Sequence, residues 1–113
     1  MRHLQQTTGF TLCIFLLAVL CLPAASTAAA PDGKALFLAQ KCNTCHNVPT
    51  AGIEKTMKSS TASDLVNVKA DAATLTKVLK KQADVGGKKH PREFKGTDEE
   101  LNALVTWILA QKK

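Results

Sequence analysis

Five residues, Cys42-Asn43-Thr44-Cys45-His46, decide the fold of this 113-residue chain. Two thiols separated by two residues can add to the two vinyl groups on one edge of a porphyrin. A histidine directly after the second thiol can reach the central iron when the segment is helical. The spacing C-x-x-C-H is the attachment signature of a c-type haem. It predicts thioether bonds at Cys42 and Cys45, an axial iron ligand at His46, and one covalent haem c as the cofactor.

Two other chemistries use the same spacing of cysteines. A dithiol redox site and half of a zinc site both contain C-x-x-C. A thioredoxin-like site is expected within a βαβ pattern, and the sequence has no strand pattern. A zinc site would need two histidines beside Cys42 and Cys45, and a histidine adjacent to Cys45 suits a porphyrin better than a tetrahedral cage. Haem is the favoured interpretation, with zinc and a bare dithiol as the alternatives.

Residues 1–28 are typical of a secretory signal peptide. Arg2 supplies the charged start, and the apolar run Phe10–Leu22 ends at Pro23. This run is shorter than the roughly 20 apolar residues that a comfortable transmembrane helix needs. We expect cleavage after Ala28 and export to a bacterial periplasm, with no stable membrane insertion afterwards. Without cleavage, the same stretch would act as a membrane anchor.

The remaining chain, residues 29–113, is long enough for one small domain and is short of core. Two of the four cysteines, Cys13 and Cys21, lie in the leader, so the mature domain keeps only the pair in the haem motif. A covalent haem would stabilise a domain of this size. The formal net charge of +6 is carried mostly by lysine, and without an arginine-rich or aromatic-interleaved patch no nucleic acid is expected as a partner. We expect a monomer that docks to an acidic redox partner protein.

Three capping patterns each precede an apolar stripe at helical spacing. They predict helices over residues 32–46, about 72–82 and about 98–111. The last start is the strongest, because Thr97 and Glu100 have capping-box spacing and the acidic first turn favours the positive end of the helix. The predicted fold class is all-α, with three to four short helices around one covalent haem.

These pieces, in this order, resemble class I cytochrome c domains. The matching residues are Gly33-Lys34-Ala35-Leu36-Phe37, Cys42-x-x-Cys45-His46 and Phe94-Lys95-Gly96-Thr97-Asp98-Glu99-Glu100-Leu101, followed by a helix that carries Trp107. The resemblance covers the domain at residues 29–113. It implies a cytochrome c-like fold in which the first and last helices cross at right angles, with Gly33 and Phe37 meeting Trp107.

The chain departs from the family in the loop before the last helix. Family members usually present methionine there as the second iron ligand, followed by proline, whereas this chain has Lys89-His90-Pro91, forty-four residues after His46. Proline favours an extended backbone at the preceding residue, which suits a loop histidine that points inward. The resemblance therefore implies His46 and His90 as the two axial ligands. Met57 is the rival for the second position, and a solvated surface residue is the ordinary interpretation of His90.

The combined prediction is a one-electron carrier and not an enzyme, since no acid–base or nucleophilic constellation is present. A bis-histidine haem should have a lower reduction potential than a histidine–methionine haem, because methionine ligation raises the potential. Two alternatives stay open. The domain could be a haem-based sensor or ligand-binding domain from which His90 dissociates, or an electron-entry subunit of a larger oxidoreductase. A basic docking patch is predicted from five lysines, which are Lys77, Lys80, Lys81, Lys88 and Lys89.

Overall fold

The computed structural model describes residues 29–113, and the predicted leader lies outside the described residues. The described part contains three α-helices, which are α1 (Gly33–Ala39), α2 (Ala72–Leu79) and α3 (Asp98–Leu109). Two short 3₁₀ turns, Cys42–Thr44 and Pro49–Ala51, follow α1. Within residues 29–113, the helices are too short and too polar to cross a membrane.

Each α-helix begins where the sequence predicts it. The Asp32 carboxylate accepts a hydrogen bond from the backbone N–H of Lys34 at 2.9 Å, and the carboxylate of Asp71 caps α2 in the same way. Thr97 and Glu100 form a reciprocal capping box at the start of α3, with bonds of 3.1 and 2.8 Å. These side chains satisfy backbone donors that the first helical turn leaves without a partner.

The first helix ends earlier than predicted. A single helix over 32–46 was expected, but α1 ends at Ala39, and Lys41 has a left-handed backbone with φ of 56°. The chain then resumes a helical turn, in which the N–H of His46 donates to the carbonyl of Cys42 at 3.1 Å. The haem motif therefore keeps the helical form that its spacing needs, on a new axis. Helix α2 also ends early, at Leu79.

The predicted contact between the first and last helices is present. Gly33 is buried, and a Cβ atom placed on it would lie 2.2 Å from the Cβ of Trp107 and 2.7 Å from the carbonyl oxygen of Ala103. The rings of Phe37 and Trp107 pack with their centroids 5.3 Å apart. Since only glycine lacks a Cβ, the close crossing of α1 and α3 depends on this residue.

A small hydrophobic core lies between α1, α3 and the loop after the haem motif. Its fully buried side chains are Phe37, Val48, Leu101, Leu104 and Val105. Val48 and Ile53 pair through a backbone bridge, which closes the first part of that loop. The core is small for a domain of this length, and much of the remaining apolar surface faces the cavity described below.

One element has no counterpart in the predicted all-α fold. The chain after α2 forms a two-stranded antiparallel hairpin of β1 (Asp84–Val85) and β2 (Lys88–Lys89). Its turn is Gly86-Gly87, with φ of 57° and 77°, as two-residue hairpin turns of this type require. The hairpin residues are all exposed, and the strand β2 leads directly into His90.

Candidate functional site

A cavity of about 1070 Å³ opens between the haem motif, α2, α3 and the segment after the hairpin. This volume is at the upper limit of the ~300–1,000 Å³ typical of sites for small molecules and cofactors. Its walls include Cys42, Cys45, His46 and His90. Apolar side chains form much of the remainder, among them Leu65, Val68, Leu75, Leu79, Phe94, Leu104 and Ile108. The structure therefore brings all four predicted site residues to one large, mostly apolar cavity.

The imidazole rings of His46 and His90 face a common space in this cavity. Their centroids are 6.2 Å apart and their planes differ by only 5°. A bond from imidazole nitrogen to a first-row metal is about 2.0–2.1 Å long, and with the ring centre about 1.1 Å beyond the nitrogen, two such bonds in line separate the centroids by about 6.3 Å. The observed centroid separation is close to this value.

Each of the two rings is oriented by a backbone carbonyl. Nδ1 of His46 donates to the carbonyl oxygen of Ser63 at 2.7 Å, and Nδ1 of His90 donates to that of Arg92 at 2.6 Å. Because a carbonyl oxygen can only accept, both Nδ1 atoms carry the proton and both Nε2 atoms keep a free lone pair. This is the arrangement usual for metal-ligating histidines.

The two cysteines are free and half-buried at the edge of the cavity. Burial raises the pKa of the Cys42 thiol above its ordinary value, and the Arg92 guanidinium opposes this only in part. A reactive dithiol has a lowered thiol pKa, so the environment of Cys42 does not favour the dithiol alternative. Within residues 29–113, no group of three or more His, Cys, Asp or Glu side chains is arranged to hold a metal ion, so the zinc alternative gains no support there.

Comparison with known families gives one match. The family described as cytochrome c oxidase, cbb3-type, subunit III, matches residues 28–108. The chain belongs to this family. It is thus a class I-like c-type cytochrome domain, with one covalent haem c and an electron-carrier role towards redox partner proteins. Comparisons with curated proteins and with solved structures gave no significant match.

The cytochrome domain also places Met57 on the wall of the same cavity. Its backbone N–H donates to the carbonyl of Thr44 at 2.9 Å, which ties this residue to the haem motif. Its side chain is 45 % exposed. The ring that lies nearly parallel to that of His46, with the centroids 6.2 Å apart, belongs to His90.

A set of hydrogen bonds that the sequence analysis missed holds the loop after the haem motif. The Asn47 side chain accepts from the N–H of Lys55 at 2.7 Å and donates to the Asp64 carboxylate at 2.6 Å. Its backbone carbonyl accepts from the N–H of Leu65 at 2.9 Å. These bonds fold the loop back on itself beside Ser63, whose carbonyl orients His46. An asparagine directly after the haem motif was the available signal, because its side chain readily bonds nearby backbone.

The predicted basic patch is partly neutralised. Lys80 pairs with Asp98 at 2.7 Å, and Lys89 lies 3.8 Å from Asp84. A basic set instead surrounds the cavity, and consists of Lys41, Lys69, Lys88, Lys89 and Arg92. Five basic side chains therefore line the cavity, together with the acidic Asp64 and Glu93.

Proposed function

We propose that this chain is a one-electron carrier whose haem is held by thioethers to Cys42 and Cys45 and by axial bonds from His46 and His90. The observation that carries the proposal is the 6.2 Å separation of two nearly parallel imidazole rings inside one cavity. The chemistry that the haem would supply when bound is the reversible gain and loss of one electron. The protein's part is to hold the ligands, exclude water and set the potential.

The two histidines are prepared for this role by their hydrogen bonds. Donation from each Nδ1 to a carbonyl oxygen increases the electron density at Nε2, which makes each ring a stronger ligand for the more oxidised metal. The absence of a methionine ligand acts in the same direction, because methionine raises the potential. We infer a potential below that of histidine–methionine members with similar burial. With His46 and His90 holding both axial positions, the haem would offer no open site for a substrate, as a carrier requires.

The basic side chains that line the cavity support a role in docking. Lys88 is exposed and carries no ion pair in the described residues, and Lys88, Arg92 and Lys41 all line the cavity. Such a cluster attracts an acidic partner surface over a distance set by salt. Together with the leader-like sequence at residues 1–28, this supports an exported, periplasmic carrier that meets its partners by collision.

A second candidate is favoured by the family description. The matching family is named as a subunit of a cytochrome c oxidase, so this chain could instead serve a larger oxidoreductase as its electron-entry subunit. The same haem ligands apply in both cases, and only the duration of the contact differs. Purification under mild conditions distinguishes the two, because a stable subunit elutes with its larger partner and a free carrier elutes alone at its own mass.

The ligand assignment is tested by optical spectroscopy of the purified holoprotein. We expect the wild type to be six-coordinate and low-spin, to bind carbon monoxide slowly or not at all, and to lack the weak ferric band near the red edge that a methionine–iron bond gives. His90→Ala should open the sixth position, so that the spectrum shifts towards high spin and carbon monoxide binds. His90→Met should restore six-coordination and raise the potential.

Met57→Ala is the matched control, since Met57 lines the same cavity, and it should leave the spectrum unchanged. If Met57→Ala opens the site and His90→Ala does not, the distal ligand is Met57 and the low-potential inference fails with it. A wild type that is already five-coordinate would instead indicate the sensor alternative.

A further inference from the structure

The Gln40 side chain makes a two-bond clamp across the domain. Its Nε2 donates to the carbonyl oxygen of Lys95, and its Oε1 accepts from the N–H of the same residue at 3.1 Å. The carboxamide thus satisfies both backbone groups of one residue, as a neighbouring strand would. Gln40 and Lys95 are 55 residues apart in the chain, so this contact joins two segments that are distant in the sequence.

The clamp joins the two segments that carry the proposed ligands. Gln40 ends α1 and lies six residues before His46, while Lys95 lies five residues after His90. Along the chain, the two histidines are separated by forty-four residues. Holding the ends of a loop of that length together costs conformational entropy. The clamp connects the two rings through the six residues from Gln40 to His46 and the five from His90 to Lys95, which are far fewer than the residues of the loop.

The distal segment, defined as residues 90–95, is anchored mainly from its C-terminal side. Nδ1 of His90 bonds to the carbonyl of Arg92, the N–H of Phe94 donates to the carbonyl of Leu79 at 2.9 Å, and Lys95 meets the clamp. The preceding hairpin is exposed throughout, and Val85 on it is 59 % exposed. Its bonds run within the hairpin and, through Lys89 Nζ, to the carbonyl of Lys81 at 3.2 Å.

We propose that Gln40 is a positioning residue that keeps His90 opposite His46, and so controls how often His90 leaves its position. This rests on the proposed function, in which His90 is the second axial ligand. The hairpin gives His90 little support on one side, so the clamp at Lys95 limits movement on the other. Loss of the clamp lets the distal segment swing with the hairpin, and the ring of His90 moves with it.

The test measures carbon monoxide binding to the ferrous holoprotein at high carbon monoxide, where departure of His90 limits the rate. Gln40→Leu removes both bonds of the clamp, and we expect the rate to rise about tenfold, as two exposed hydrogen bonds of ordinary strength allow. Gln40→Glu keeps an acceptor for the Lys95 N–H but sets a carboxylate oxygen against the Lys95 carbonyl oxygen, and should also raise the rate. The latter variant also serves if Gln40→Leu does not fold.

Gln111→Leu is the matched control. Gln111 also makes two bonds, from Thr50 Oγ1 at 2.6 Å and to the Trp107 carbonyl at 2.8 Å, but these lie away from the distal segment. If Gln40 acts only through general stability, both variants should accelerate binding equally, which would overturn the proposal. An unchanged rate in Gln40→Leu, alongside fast binding in His90→Ala, would also overturn it while leaving His90 as the ligand. If His90→Ala matches the wild type, the ligand assignment itself fails.

Discussion

Replacing Gly33 by alanine tests the helix crossing on which the site is built. The new Cβ would lie 2.2 Å from the Cβ of Trp107 and 2.7 Å from the carbonyl oxygen of Ala103. Ordinary contacts between carbon atoms are about 3.5–4.0 Å, so α1 has to move away from α3 by about 1.5 Å. Neither neighbouring atom can rotate aside, because a Cβ and a backbone carbonyl are both fixed to α3.

The expected cost follows from this geometry. Overpacking a well-packed contact costs about 1–3 kcal/mol, and the rigid neighbours of Gly33 put this case at the upper end. The gain in helix propensity from glycine to alanine offsets about 0.5–1 kcal/mol. We expect a net loss of about 2 kcal/mol, which lowers the midpoint of thermal unfolding by roughly 8–16 °C in a domain of this size.

The assay is thermal unfolding of the holoprotein, followed by circular dichroism. Lys34→Ala provides the comparison, because Lys34 is the next residue of α1 and is exposed, and such surface changes cost about 0.5 kcal/mol or less. A Gly33→Ala protein that melts with the wild type would refute the close crossing of α1 and α3. The variant should also bind carbon monoxide faster if the displacement of α1 reaches Gln40 at its end.

Two further predictions concern charge. Lys88→Glu should slow electron exchange with an acidic partner at low salt. The difference from the wild type should fade as ionic strength rises, since the Debye length is about 10 Å at 0.1 M. Lys34→Glu, away from the cavity, should have a smaller effect, and equal slowing in both variants would contradict docking beside the cavity. Asp71 accepts from the N–H of Thr74, which lowers the pKa of its carboxyl group. Its stabilising contribution is therefore present above the unfolded pKa of about 3.9 and is lost as pH falls through the lower folded value. Asp71→Asn should weaken this acid dependence in urea titrations between about pH 5 and 2, and an unaltered dependence would contradict the cap.

The starts of the helices could be predicted from the sequence because each depends on residue type, whereas the contact between α1 and α3 was implied by the resemblance to class I cytochrome c domains. A side-chain oxygen at a cap bonds to the backbone two or three residues later, whatever the rest of the fold does. Gly33 in the first turn of a helix is unfavourable by itself, but its pairing with Trp107 follows from the resemblance and not from either residue alone. The end of α1 could not be predicted in this way. It depends on a left-handed backbone at Lys41, and lysine gives no sign of adopting it.

The hairpin shows a second limit of sequence analysis. Glycine pairs such as Gly86-Gly87 favour two-residue hairpin turns. Strands of two residues are too short to display alternation, so nothing around the glycines indicated a strand. The contacts that orient the two histidines were also hidden. Their acceptors are the carbonyls of Ser63 and Arg92, and any residue type can supply a carbonyl.

The two proposed ligands are held unequally, and this difference bears on the choice between carrier and sensor. His46 lies within the haem motif, and its acceptor Ser63 belongs to a loop that Asn47 closes with three hydrogen bonds. His90 has an exposed hairpin on one side, and on the other a segment that is held by Gln40 and by the carbonyl of Leu79. Movement in this site is therefore expected at His90 while His46 stays fixed. A carrier needs that movement to be rare, because a change of ligand during electron transfer adds reorganisation. If His90 is the second ligand, the proposed clamp would keep its departure rare, and loss of the clamp should shift the domain towards ligand binding.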